Sequence, residues 1–141
     1  MPPLGTNGRA RVTPPTGTSQ PVTGYAMLRG EIRLVDLEPA RPGEPDKRRP
    51  AVLVSNDRAN AVAARLGRGV VTVVPVTSLT ESIFAFQVLL EADETGLRHT
   101  SKAQAEQVRA VPVERVGKAV GRVPAYLMAQ LEDALRLHLQ L

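Results

Sequence analysis

The run Val70–Thr77, VVTVVPVT, holds five valines and two threonines around a single proline. β-Branched side chains lose rotamer freedom in a helix and pack well on a pleated surface, so the run reads as a strand. Pro75 marks a bulge or an edge near its end. Other short patterns must assemble around it. Residues 28–37 (LRGEIRLVDL) alternate, with Ile32 and Leu34 on one face, and 51–55 (AVLVS) follow Pro50 as a short buried strand. Phe84, Phe86, Val88 and Leu90 alternate as another strand, and 116–123 (VGKAVGRV) suit a further one, whereas 102–111 (KAQAEQVRAV) fit strand or helix. Between the strands, 58–66 (RANAVAARL) carry apolar positions on one helical face, with Asn56 or Asp57 as cap and Gly67 and Gly69 as terminators. After Pro124, residues Leu127, Leu131, Ala134, Leu135 and His138 recur as a helical stripe. The expected class is mainly β with helices (α+β): a compact barrel or sheet with a short inserted helix and a C-terminal amphipathic helix packed on it.

Residues 1–26 follow neither period. Pro, Gly and Thr fill 14 of those 26 positions, which reads as a disordered N-terminal extension ahead of one domain over 27–141. About 115 residues bury roughly 65% of the extended chain's surface, so the domain needs no disulfide or metal staple. The chain contains no cysteine, which removes thiolate zinc sites and cysteine nucleophiles. No apolar run approaches the roughly 18 residues of a membrane span, and no secretory signal pattern opens the chain. A cytoplasmic protein with no membrane partner is expected. The net charge of +4 includes Arg9 and Arg11 of the extension, so it argues weakly for a polyanionic partner until the cations are shown to cluster.

Most chemistries fail on supply. His99 and His138 are the only histidines. They form no metal-ligand spacing, so neither a metal nor another cofactor is expected. His138 falls on the packed stripe of the last helix and His99 in a turn, so the first reads as core and the second as a solvated loop residue. Gly67 and Gly69 are a fragment of a dinucleotide fingerprint, and no phosphate loop is present. Four aromatic side chains are too few for the stacking platform of common single-strand binders.

What remains is a charged loop, 38–49, that carries Pro39, Pro42, Gly43 and Pro45 and ends Lys47-Arg48-Arg49-Pro50. Loops of this length in small domains are often functional. Proline and the apolar strand behind it anchor Arg49, whereas Lys47 and Arg48 stay mobile. A fixed guanidinium is a bidentate ligand for phosphate. Thr77 and Ser78, at the end of the strongest strand, offer hydroxyls to the same group. Glu44 in the loop and Glu106-Gln107 in the later segment offer a carboxylate and an amide for proton transfer or base recognition.

The ordered string RGEIRLVDLEPA (29–40), RRPAVLVSNDRAN (48–60), VVTVVPVTS (70–78), FQVLLEA (86–92), AEQVRAV (105–111) and GRV (121–123) before a Leu-rich helix resembles the MazF/PemK family of type II toxins, its mycobacterial members above all. The resemblance covers Met27 to Leu141. It implies a small SH3-like β-barrel, a homodimer, a cognate MazE-like antitoxin, and a metal-independent, sequence-specific endoribonuclease acting on single-stranded RNA. The 2′-OH would attack the adjacent phosphorus, leaving a 2′,3′-cyclic phosphate and a 5′-OH. It further implies Arg49 and Thr77 as the catalytic pair, Glu44 as a third catalytic group, and Lys47, Arg48, Ser78, Glu106 and Gln107 as RNA contacts. The family loop commonly reads Gly-Ser-Glu where this chain has Pro42-Gly43-Glu44, so the serine hydroxyl is missing. Two alternatives share the barrel: a non-catalytic toxin that poisons DNA gyrase, and an inactive RNA-binding relative.

Overall fold

A computed structural model describes residues 26–37 and 48–141. The strands are β1 (Glu31–Val35), β2 (Arg49–Leu53), β3 (Val70–Thr77), β4 (Gln87–Leu90), β5 (Ser101–Gln104), β6 (Arg109–Pro112) and β7 (Val116–Arg122). The helices are α1 (Asp57–Leu66), α2 (Ala92–Thr95) and α3 (Ala125–Leu139). All strand pairs are antiparallel, in the order β4-β5-β3-β2-β1-β7, with β6 also on β3. The expected α+β class holds, but the sheet is not a closed barrel among the described residues, because β4 and β7 stand at its two ends. The expected disordered reading of 1–26 falls almost wholly outside the described residues, as do Glu44, Lys47 and most of the charged loop.

β2 and β3 are apolar on both faces because both faces are covered. Ile32, Val52, Val74 and Val76 pack with Leu127, Met128, Leu131 and Ala134 of α3. Val35, Ala51, Leu53, Val71 and Val73 form a second cluster with Met27, Val111 and Ala63 of α1. Strict alternation sorts Val71 and Val73 from Val74 and Val76 between the two, since successive side chains of a strand point to opposite faces. Pro75 causes no bulge. It sits where the outer edge of β3 changes partner, from β6 at residues 70–73 to β5 at 76–77, a place where a missing N–H interrupts no continuous ladder.

Asn56 caps α1 by accepting the Ala59 N–H, and Gly67 ends the helix in the left-handed region at φ 69°. The alternation at Phe84 and Phe86 is not strand: β4 begins only at Gln87. The ambiguous segment 102–111 resolves into β5, a 3-10 turn at Ala105–Gln107, and β6. His138 is exposed, because the buried stripe of α3 stops at Ala134.

Candidate active site

Arg49 opens β2 opposite Val35 of β1. β2 pairs with β3 through Ala51 and Pro75, and that register, run on by two residues, sets Arg49 across from Thr77. Directly opposed residues of an antiparallel pair lie on one face of the sheet. Arg49, Thr77 and Ser78 accordingly line a single groove of about 890 Å³. Its apolar wall includes Leu34, Pro50, Val76 and Val120. Arg98 and Lys118 add two more cations, and Ser101 another hydroxyl. No Asp or Glu lines it among the described residues. Clustered cations with no carboxylate between them favour a phosphodiester.

The two central side chains are differently held. Arg49 is exposed and makes no ion pair among the described residues. Thr77 is half-buried, and its Oγ1 accepts the Leu79 N–H at 3.2 Å. That turn fixes the oxygen and leaves the hydroxyl proton to donate. Arg48, expected to stay mobile, has its guanidinium against Gly117, where an added Cβ would come within 2.8 Å of Nη1.

Glu106 and Gln107 do not line this groove. They occupy the 3-10 turn between β5 and β6, where Glu106 Oε2 accepts from Gln87 Nε2 at 2.9 Å while Oε1 is buried without a hydrogen bond. His99, Arg98, Ser101 and Lys118 are groove residues that sequence reasoning did not select. A loop histidine gives no sign of lying at a site until the pairing of β5 with the end of β3 is known. Among the described residues, no three His, Asp or Glu side chains gather as a metal cage.

Residues 28–139 match the model of the PemK-like, MazF-like toxins of type II toxin–antitoxin systems. The chain belongs to that family. It is 60% identical over 115 residues to Endoribonuclease MazF9 of Mycobacterium tuberculosis, covering 82% of this chain and 98% of the relative. Endoribonuclease PemK of Escherichia coli is 34% identical over 106 residues, covering 74% of this chain and 76% of the relative. Among solved structures, MazE-MazF from Deinococcus radiodurans superposes with a TM-score of 0.66 at 24% identity, covering 83% of this chain and 98% of that one. The last comparison concerns the fold alone. Among the described residues of this toxin-family chain, no helix is long and apolar enough to cross a membrane.

Proposed function

We propose that this chain is the toxin of a type II toxin–antitoxin pair and an endoribonuclease that cuts single-stranded RNA at the groove holding Arg49 and Thr77. The reading is carried by one observation: a guanidinium and a donor hydroxyl from adjacent strands line the same cleft, with no carboxylate among its described lining residues. RNA brings its own nucleophile. The protein has to align the 2′-oxygen with the departing 5′-oxygen and to stabilise the charge that builds on the phosphoryl oxygens. Arg49 can form two parallel bonds to those oxygens, and the Thr77 hydroxyl one more. No metal is required for this route, and the products are a 2′,3′-cyclic phosphate and a 5′-OH.

Glu44, outside the described residues, is the proton acceptor in this scheme, and Lys47, Arg48, Ser78, Glu106 and Gln107 extend the RNA-contacting surface. The chain acts as a homodimer restrained by a MazE-like antitoxin, a partnership supported by relatives solved as MazE-MazF complexes. The absence of cysteine fits the reducing cytoplasm. The test is purified protein with EDTA and a defined single-stranded RNA. Fragments ending in cyclic phosphate are expected, whereas RNA that is bound but intact, or intact RNA alongside inhibited gyrase, would overturn the assignment.

A further inference from the structure

The scheme above leaves the departing 5′-oxygen without a suitable proton donor. A guanidinium holds its protons too tightly to give one up efficiently near neutral pH. Among the described residues the groove contains one group of the right chemistry, His99. Imidazole is the side chain whose ordinary titration falls between about pH 5 and 8.

His99 is exposed, but the backbone carrying it is braced on both sides. Gly96, at φ 84°, closes α2 by donating to the Ala92 carbonyl. Thr100 Oγ1 donates to Glu91 Oε1 at 3.2 Å and accepts the Ala92 N–H at 3.1 Å. Ser101 Oγ donates to the His99 carbonyl at 2.8 Å. The imidazole is therefore presented from a tied loop. The loop runs into β5, whose Lys102 pairs with Thr77. Paired Cα atoms are about 5 Å apart, and the three residues from Lys102 back to His99 span at most about 11 Å. His99 and Thr77 line the same groove, so a phosphodiester held by Thr77 would share that cleft with the imidazole. Among the described residues, the charged groups facing that space are Arg49 from β2, Arg98 from the same loop and Lys118 from β7.

Resting on the ribonuclease reading, we infer that His99 is the general acid of RNA cleavage. The 2′-oxygen bonds to phosphorus and its proton passes to water. The bond from phosphorus to the 5′-oxygen breaks, and that oxygen takes the proton of the His99 imidazolium. Solvent then reprotonates the imidazole, so charge and protons balance over the turnover.

The experiment compares the wild-type chain and His99→Gln on two versions of an RNA cut by the wild type. One has the natural 5′-oxygen at the scissile bond and the other a bridging 5′-sulfur, which leaves as a thiolate and needs no proton. The variant should cut the oxygen substrate about 10²-fold more slowly and the sulfur substrate at nearly the wild-type rate. The wild-type rate on the oxygen substrate should fall as pH rises through the imidazole range, and that limb should vanish in the variant. An undiminished rate on oxygen overturns the inference, and so does a loss that sulfur does not rescue, which would make His99 a binding or structural residue. A wild-type chain that cuts neither substrate nor any other single-stranded RNA overturns the ribonuclease reading itself, a distinct result.

Discussion

Arg49 and Thr77, at the start of β2 and the end of β3, meet in one groove because the strands run antiparallel in a register that carries the first residue of one to the last of the other. Their separation in sequence is bridged by two strands and α1, whose caps and packing fix where β3 begins.

If this pair grips the scissile phosphate, Arg49→Ala and Thr77→Val should each slow RNA cleavage by about 10²–10³-fold, the usual cost of one lost charge-stabilising donor. Arg49→Lys should recover little, since an ammonium cannot make two parallel bonds. Arg49 is exposed, so its variants should unfold within about 0.5 kcal/mol of wild type. Cleavage rates measured beside thermal melts would separate the two effects, and near-normal cutting by Arg49→Lys would remove the planar guanidinium from the mechanism.

The core strands were legible because burial on both faces leaves a near-continuous β-branched run, as in β3. α1 was legible because Asn56 and Gly67 punctuate it. Phe84 and Phe86 misled for a physical reason. Their rings stack on each other at 5.5 Å, so the alternation satisfies a local contact just ahead of β4 and pairs no strand. Of the site, Arg49 and Thr77 could be read from the flanking proline and strand end. His99, Arg98 and Lys118 could not, because their nearness depends on which strands pair, and no local pattern encodes that.

Asn60 is fully buried and joins α1 to the sheet. Its Nδ2 donates to the Ser55 carbonyl at 2.8 Å, its Oδ1 accepts the Ser55 hydroxyl, and Ser55 Oγ accepts the Thr72 N–H at 3.0 Å. Replacing it with Leu strands those groups away from water, at a cost of about 1–3 kcal/mol. Urea denaturation should show a lower midpoint with an unchanged slope. An unshifted midpoint would mean that the network contributes nothing net.

Arg33 ties the chain entry to the sheet. Its guanidinium donates to the Ala26 carbonyl at 2.6 Å, to the Gly117 carbonyl at 3.0 Å and to Glu31 Oε1, while Met27 is 6% exposed in the second core cluster. Removing residues 1–25 spares these contacts and should leave the melting temperature unchanged. Removing 1–27 deletes a buried methionine, worth about 2–5 kcal/mol, and should lower it by on the order of 10 °C. Equal melting of both truncations would show that the first two described residues do not anchor the fold.

Tyr126 of α3 donates its phenol to Glu94 of α2. That hydrogen bond, with smaller effects of burial and of the charges on Glu94, Asp93 and Glu91, holds the phenol above its usual value of 10.0. A raised pKa means the clasp stabilises below the unfolded value and is lost as pH rises through the folded one. Titrating phenolate absorbance should therefore show one tyrosine ionising late, and Glu94→Gln should bring it down toward the ordinary value. A midpoint indifferent to that change would assign the shift elsewhere.

Gly121 of β7 passes so close to α2 that an added Cβ would lie 2.5 Å from the Thr95 carbonyl oxygen. Backbone cannot swing aside as a side chain can, so Gly121→Ala must push α2 away, at about 1–3 kcal/mol. α2 leads directly into Gly96, Leu97, Arg98 and His99, all lining the groove, so RNA cleavage should fall more than stability alone explains. Gly117→Ala supplies the contrast. Its nearest obstacle is the flexible end of Arg48, followed by the Leu34 carbonyl at 3.1 Å, so it should be milder in melting and leave the His99 loop in place. If the two alanines proved equal in both readouts, close approach of β7 to α2 would not be what seats that loop.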